Sequence, residues 1–343
     1  AGRTADAARR WDLDWLRVLA VLLLVPFHSA LVFMADPGLV AYVKDAAASA
    51  YPGQVAALSL MKGWMDRWLL ELLFFIAGAA SWFALGRRSA GAFLGERAKR
   101  LLVPFFFGLI VLAPLMVGMQ YLGKPGAPGL GEIYQRFFLG GRTDLTGMDG
   151  HFTPAHLWFI LYLFLFSLVG LPKLLLLRTR ASQRALERAA GAPWVVYLIV
   201  VFLILARTAD LAGMGDKDPL YYFLLFLAGY MLTSEPRFQA FIDRALWLSL
   251  ALALGATVLT EAGPLAAPAG ASAALGRNLL YKLSQWTWTL AILGAGHRWL
   301  NRGGPLLSYA TEAAYPFYIL HLPVDTLVAY FVVRLDVGVA VKF

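Results

Sequence analysis

The chain has 343 residues, of which 60% are hydrophobic and 15% are charged. Soluble domains are usually about 45–50% apolar and about 25% charged, so the composition excludes an ordinary soluble domain and is typical of a polytopic membrane protein. The chain contains no cysteine, which excludes disulfides, thiolate metal sites and a cysteine nucleophile. The net charge of +9 is interpreted as the Lys and Arg excess of cytoplasmic loops, so no nucleic-acid partner is expected.

Apolar runs between charged loops predict nine helices that span a lipid bilayer. A tenth apolar run begins at Val337, near the C-terminal end, and reads either as the start of a further helix or as an interfacial segment. The predicted fold is an all-α polytopic membrane protein with about nine to ten transmembrane helices around a central polar cavity, in one integral membrane domain over residues 1–343 without a separate soluble domain. The nine spans are expected at residues 13–34, 68–86, 101–122, 156–177, 194–211, 219–234, 245–260, 279–297 and 306–333.

The distribution of basic residues predicts the orientation. If the loops alternate sides and the first helix is retained, most Lys and Arg residues share the side of the N-terminus, which makes that side cytoplasmic by the positive-inside rule. The two longest loops, 35–67 and 123–155, then face outward.

The first predicted span carries Asp14, Arg17 and His28. Arg17 and His28 are eleven residues apart, which places them on one face of a helix and about 16 Å apart along its axis, and Asp14 is about 40° off the same line. Asp14 and Arg17 pair or snorkel at the membrane surface in one interpretation. His28 is either a buried histidine that bonds a carbonyl freed by Pro26 or a general base that takes a proton from a hydroxyl.

The second and third spans add further charged residues. Glu71 is four residues after Arg67, which predicts an interfacial salt bridge, and the small residues from Gly78 onward predict close helix packing. Arg97 and Arg100 are three residues apart at the start of the third span, where arginine side chains suit phosphate groups. A topogenic loop explains the neighbouring Arg87 and Arg88.

The fourth and ninth spans carry further candidate residues. His156 and Trp158 lie at the outer end of the fourth span, where they are expected to contact an acceptor substrate, Trp158 by stacking on a sugar face. Glu312, Tyr315 and His321 lie in the ninth span, where they indicate either a polar interhelical network or a cavity. No zinc-like ligand spacing is present, so no metal is expected.

Several motifs in family order resemble the membrane acyltransferase-3 family, and the likeness extends over nearly the whole chain. Within the family, residues 12–17 and 312–321 are most similar to members that succinylate osmoregulated periplasmic glucans. The resemblance implies O-acyl transfer from cytoplasmic acyl-CoA to a hydroxyl of an envelope glycan, in the bacterial inner membrane, with succinyl or otherwise acetyl as the acyl group. The motifs are Arg17-x10-His28, Phe74-Phe75-Ile76-Ala77-Gly78, Arg97-Ala98-Lys99-Arg100-Leu101-Leu102-Val103-Pro104, His156-Leu157-Trp158-Phe159 and Tyr315-Pro316-Phe317-Tyr318-Ile319-Leu320-His321.

Roles for the candidate residues follow from this resemblance. Arg97 and Arg100 hold the coenzyme A phosphates, and Arg17 binds the next phosphate or polarises the thioester carbonyl. His28 deprotonates the acceptor hydroxyl or accepts the acyl group itself. The remaining candidates orient Arg17 or contact the carbohydrate acceptor, namely Asp14, Glu71, His156, Trp158, Glu312, Tyr315 and His321.

Two other classes of protein stay open. A secondary transporter or flippase would use the intramembrane His, Glu and Arg residues as proton or substrate sites, but it predicts inverted repeats, and none is evident. A membrane scaffold without activity predicts that replacing His28 has no effect. The sequence leaves the oligomeric state open, a homo-oligomer included.

Overall fold

The structure is a computed structural model that describes residues 9–35, 41–141, 145–208, 217–267 and 269–343. Every regular element in these ranges is helical, as the sequence predicted. Short 3-10 helices cover Ala46–Ala50, Ala155–Leu157 and Pro193–Leu198, and π-helical turns cover Ala98–Leu102 and Gly108–Leu112. The α-helices are α1 (Trp11–Val32), α2 (Pro52–Met65), α3 (Leu69–Arg87), α4 (Ala90–Arg97), α5 (Val103–Phe107), α6 (Ala113–Met119), α7 (Leu130–Leu139), α8 (Trp158–Val169), α9 (Leu171–Leu177), α10 (Arg180–Ala189), α11 (Ile199–Thr208), α12 (Pro219–Thr233), α13 (Pro236–Arg244), α14 (Leu246–Glu261), α15 (Ala271–Leu300), α16 (Pro305–Val332) and α17 (Val339–Lys342).

Three helical stretches are long and apolar enough to cross a membrane, namely Trp11–Val32, Pro52–Arg87 and Ala90–Met119. Three further helix pairs are bent by 60° to 102° and raise that number to six if each pair is one span. Each of the nine segments expected to span contains a helix. The count of nine spans stays a prediction, because length and composition single out only three to six among the described residues.

The two long segments expected to be outer loops contain helices. Residues 35–67 include α2, and residues 123–155 include α7. The sequence prediction missed α2 because Lys62, Asp66 and Arg67 interrupt the apolar run that continues into α3.

Helix α1 lies parallel to α16 and antiparallel to α15. Near the start of α1, the indole N–H of Trp15 donates to the carbonyl of Arg302, just after α15 ends (3.0 Å). Near the end of α1, the hydroxyl of Ser29 donates to Asp325 of α16 (2.6 Å). We call the end of the bundle where α1 begins the proximal end, and the end where α1 terminates the distal end.

Helices α3 and α12 touch backbone to backbone at two glycines. A Cβ on Gly78 would lie 1.8 Å from the carbonyl oxygen of Phe226, and a Cβ on Gly229 would lie 1.9 Å from that of Phe75. Any larger residue would therefore force the helices apart. The close helix approach predicted for the second span is confirmed.

The C-terminal helix α17 packs at the distal end. The ammonium of Lys342 contacts Asp45 at 2.9 Å, and both side chains are only 2% exposed. The backbone N–H of Ala340 donates to Gln54 of α2 (2.8 Å). The residues read as the beginning of a tenth apolar run thus end in a short helix that docks on the chain around α2.

Candidate active site

A cavity of about 600 Å³ opens at the distal end of α1, and five residues singled out from the sequence line it. They come from α1, α3, the turn before α8, α8 itself and α16, so only the tertiary fold brings them together. We call this space the distal cavity. The five residues are His28, Glu71, His156, Trp158 and His321.

Three of these side chains are histidines in ring contact. The ring of His321 lies between the other two, with its centroid 5.3 Å from that of His28 and 5.0 Å from that of His156. His156 and His321 are buried, whereas His28 is partly exposed at the cavity wall. The part of the chain that the structure describes contains no group of three His, Cys, Asp or Glu side chains placed to hold a metal ion, and this holds for the histidine triplet as well.

The position of His156 depends on a proline in α16. In a regular helix the carbonyl of Ile319 would accept from the N–H of residue 323, but Pro323 has no N–H. The Nε2 of His156 lies 3.0 Å from that carbonyl oxygen and takes the vacant place. Ala155, immediately before His156, has a φ of 45°, a conformation that non-glycine residues rarely adopt and that is often found at functional sites.

Two further bonds fix this corner of the cavity. The hydroxyl of Tyr318 donates to the backbone carbonyl of His156, which ties α16 to the turn before α8. The Nδ1 of His321 lies 2.6 Å from the carbonyl oxygen of Tyr318. The imidazoles of His156 and His321 are therefore both held by backbone groups of α16.

Glu71 does not form the salt bridge with Arg67 that the sequence predicted. Its carboxylate accepts from the hydroxyl of Tyr221 (3.1 Å) and from the amide of Gln285 (2.6 Å). The i,i+4 prediction was wrong because Arg67 precedes α3, which begins at Leu69. Arg67 is fully buried and instead contacts three residues of α14 and α15, namely Thr260, Glu261 and Ser284.

A second cavity, of about 310 Å³, opens at the proximal end. Asp14 accepts from Arg9 and from Arg17, each at 3.1 Å. The predicted trio is thus divided, because Asp14 and Arg17 line this proximal cavity whereas His28 lines the distal one. Five arginines line the proximal cavity, namely Arg9, Arg10, Arg17, Arg87 and Arg88.

The arginines expected to hold the donor phosphates line neither cavity. Arg97 donates to Ser81 (3.0 Å) and lies 5.2 Å from the ring of Phe93. The Arg100 side chain is 76% exposed and pairs with Glu96 at 3.1 Å. The sequence interpretation assigned Arg87 and Arg88 to topology alone, although these two residues line the proximal cavity.

Glu312 and Tyr315 also lie outside both cavities. Glu312 is nine residues before His321, about two and a half helical turns, so it is on the opposite face of α16 and is exposed. The hydroxyl of Tyr315 donates to the backbone carbonyl of Arg100 (2.6 Å).

The sequence interpretation missed three lysines that line the distal cavity. Each ammonium group lies near an aromatic ring, and Lys62 also pairs with Asp66 at 2.5 Å. Lys282 falls within the predicted eighth span, and a charge inside a span was the signal that should have identified it. The pairs and their distances to the ring centroid are Lys62 with Phe27 (5.8 Å), Lys217 with Trp158 (5.9 Å) and Lys282 with Tyr221 (4.4 Å).

Comparison with known proteins defines the class of this membrane bundle. The model of the acyltransferase-3 family, described as an acyltransferase domain, matches residues 10–341. The chain belongs to this family, as its motifs predicted. Membership in the family supports the classification of the chain as a membrane acyltransferase.

Curated relatives carry the name Glucans biosynthesis protein C, in agreement with the resemblance found within the family. The protein of Escherichia coli O6:K15:H31 (strain 536 / UPEC) is 22% identical over 338 residues, and that of Escherichia coli (strain SMS-3-5 / SECEC) is 23% identical over 341 residues. The protein of Escherichia coli (strain K12) is 22% identical over 341 residues. Each alignment covers 92% of this chain and 82% of the relative. No solved structure matches the chain.

Proposed function

We propose that this protein transfers an acyl group from a coenzyme A thioester, bound at the proximal cavity, to a hydroxyl of a glycan in the distal cavity. The observation that carries the proposal is that α1 supplies Arg17 to one cavity and His28 to the other. Because α1 is an unbroken helix, the two residues are about 16 Å apart along its axis.

Residues of both α1 and α3 line each of the two cavities. On α3, Leu73 lines the distal cavity and Ile76 lines the proximal one, which is a separation of about 4.5 Å along the helix. On α1, the distal cavity begins at Leu24 and the proximal cavity ends at Arg17, and these residues are about 10 Å apart along the helix. The two linings are therefore separated along both helices, and in the proposed complex the acyl-bearing arm of the donor passes between α1 and α3 to reach His28.

The proximal cavity has the chemistry of a polyphosphate site. Guanidinium groups make paired, charge-assisted hydrogen bonds to phosphate oxygens. Arg17, Arg87 and Arg88 converge there from α1 and from the end of α3. We assign the donor phosphates to these residues in place of Arg97 and Arg100, since the latter two line neither cavity.

His28 is the general base of the proposed reaction. It takes the proton of the acceptor hydroxyl while the hydroxyl oxygen forms an ester bond with the acyl carbon. The carbon–sulfur bond of the thioester breaks, and the proton held by His28 passes to the departing thiolate of coenzyme A. The reaction thus needs no reactant besides the donor and the acceptor.

The lining of the distal cavity supports both substrate assignments. Trp158 and Tyr222 are among the cavity residues, and such aromatic rings suit the apolar faces of sugars. Lys62, Lys217 and Lys282 surround the same space, so an acyl group that ends in a carboxylate meets cations there. Succinyl is therefore the preferred acyl group of the proposal, with acetyl as the alternative.

The proposed setting is the bacterial inner membrane, with nine or ten spans and a cytoplasmic N-terminus. The clustering of arginines at the proximal end supports this orientation, because basic residues concentrate on the cytoplasmic side. Acyl-CoA and the proximal cavity are then on the same side of the membrane.

Mass spectrometry of cell-envelope glycans tests the proposal directly. Cells that express the protein should carry O-acyl esters that are missing from cells without it, and the mass increment identifies the acyl group. The control strain expresses His28→Ala at the same membrane level. Glycans that are identical in all three strains would refute the acyltransferase assignment, and altered glycan export with unchanged acylation would favour the transporter.

A further inference from the structure

The three histidines of the distal cavity each have one enclosed nitrogen that lacks a hydrogen-bond partner. These nitrogens are Nδ1 of His28, Nδ1 of His156 and Nε2 of His321. A buried polar atom without a partner is costly, so native structures usually give such an atom a protein, water or ligand partner. The positions of the protons on the three rings therefore bear on how the site works.

The backbone of α16 fixes the tautomer of His321. A carbonyl oxygen only accepts hydrogen bonds, so the Nδ1 that faces the Tyr318 carbonyl at 2.6 Å must carry the proton. In a neutral imidazole the other nitrogen then holds a lone pair. The enclosed Nε2 of His321 is therefore an acceptor.

The same reasoning gives His156 the opposite tautomer. Its Nε2 faces the carbonyl oxygen of Ile319 at 3.0 Å and must carry the proton. Its enclosed Nδ1 is therefore the acceptor. Two neighbouring rings thus present lone pairs, and neither can donate a hydrogen bond to the other at these atoms.

Among the described residues, His28 is a ring neighbour of His321 that can supply a donor to the Nε2 of His321. The ring centroids of His28 and His321 are 5.3 Å apart, a spacing at which facing ring nitrogens reach hydrogen-bond distance after a small rotation of either ring. The Nδ1 of His28 is the enclosed and unpartnered atom on this ring. The bond between Ser29 and Asp325 holds the two helices together beside both histidines.

We propose that His321 is a positioning residue, whose Nε2 accepts the Nδ1–H of His28 and leaves the Nε2 lone pair of His28 for the acceptor hydroxyl. This inference rests on the proposed function and deepens it. His321 then has the orienting role that a carboxylate has in a Ser-His-Asp triad, since it fixes the tautomer of the base. Among the described residues, no carboxylate forms a hydrogen bond with His28 in its place.

The enclosed Nδ1 of His156 completes the arrangement. As an acceptor that is not used by the protein, it takes a hydrogen bond from a second hydroxyl of the acceptor. The lone pairs left for the ligand, at Nε2 of His28 and Nδ1 of His156, therefore suit a ligand with neighbouring hydroxyl donors, which is the chemistry of a sugar. A ligand without neighbouring hydroxyls would leave this atom unsatisfied.

Crossed amide substitutions test the assignment through activity of the full chain in lipid nanodiscs. Glutamine reaches the position of Nε2 with its amide oxygen, whereas asparagine reaches that of Nδ1. For His321, we expect Gln to keep at least about a tenth of kcat, and Asn or Ala to lose about 10²-fold at an unchanged donor KM. For His156 the order is reversed, with Asn better than Gln. Equal loss for Gln and Asn at both positions would overturn the proposal.

Nitrogen-15 NMR of histidine-labelled protein gives a test that does not depend on activity. The chain has five histidines, and the His28→Gln and His321→Gln variants assign two of the signals by their loss. We expect Nδ1–H on His28 and His321 and Nε2–H on His156. A proton on the Nε2 of His28 in the resting protein would contradict the inference.

Separate results test the acyltransferase function and the positioning role of His321. If His28→Ala still acylates glycans, the proposed function is wrong. If His28→Ala is inactive but folded His321→Ala keeps wild-type kcat, only the positioning role is wrong. His297→Gln is the matched control, because His297 pairs with Asp243 away from the cavity (2.8 Å) and its loss should leave kcat unchanged.

Discussion

The proximal and distal cavities use the same two helices for opposite chemistry. The proximal cavity is lined by five arginines, whereas the distal cavity has imidazole rings, aromatic side chains and three lysines. Arginine is always charged and holds anions without taking part in proton transfer. Histidine exchanges protons near neutral pH. The difference indicates that α1 separates binding of a charged donor from the proton transfer that uses it.

Replacing His28 should have the largest effect, and it tests directly whether the two cavities have separate roles. We expect His28→Ala to reduce kcat for acyl transfer by about 10²- to 10⁴-fold, which is the usual contribution of a general base. The donor affinity should not change, because the phosphates bind at the other cavity. Turnover assays and acyl-CoA binding on the same purified protein measure both values. A large loss of donor affinity in this variant would show that donor binding and proton transfer are not separated between the two cavities.

Removing cations from the proximal cavity should have the next largest effect. Here the donor KM should change more than kcat, which is the opposite of the result expected for His28→Ala. Each charge-assisted hydrogen bond contributes about 1.5–3 kcal/mol, so the double variant Arg87→Met/Arg88→Met should raise the donor KM by at least about tenfold. We expect kcat to fall much less than KM rises, and the remaining affinity to depend less on salt.

Arg100→Met is the matched control for this pair. The Arg100 side chain is exposed and lines neither cavity, so its loss should change the donor KM by no more than about twofold. A stronger effect from Arg100 than from Arg87 and Arg88 would restore the phosphate site predicted from the sequence.

A substitution at the contact between α3 and α12 should have the smallest effect, but it should affect both cavities because α3 lines both. Gly78→Ala places a Cβ against the backbone of α12, so we expect an overpacking cost of about 1–3 kcal/mol. The thermal midpoint of the detergent-solubilised protein should fall, and donor affinity and kcat should decline together. Gly91→Ala is the control, since its Cβ meets nothing within 4 Å. Equal midpoints for the two variants would contradict the close contact.

The positions of the helices could be predicted from the sequence more accurately than the contacts of their side chains. Apolar length marks a segment whether or not its neighbours are known, so each predicted span contains a helix. Helices α2 and α7 were missed, and α2 was missed because charged residues divide it from α3. Arg67 shows the limit of spacing rules, since they hold only within one continuous helix and Arg67 lies just before α3.

Helical phase explains why some candidate residues were correct and others were not. Glu312 and His321 lie on one helix and were both expected at the acceptor site, but about half a turn separates their faces, and of the two His321 reaches the cavity. Arg100 and Arg88 were equally basic in sequence, and their positions relative to α1 distinguish them. Such choices depend on which face of each helix meets its neighbours.

The sequence by itself determined the membrane-protein class, the family, and the separation of Arg17 from His28 along α1, because composition, motifs and helix geometry are local properties. The tertiary structure decided that these two residues serve different cavities and that His156 and His321 join His28. It also decided the tautomer of His156, because the carbonyl that holds this ring belongs to α16 and is freed by Pro323, whereas His321 is held by Tyr318 of its own helix. Contacts between distant segments depend on packing, and no spacing along the chain encodes them.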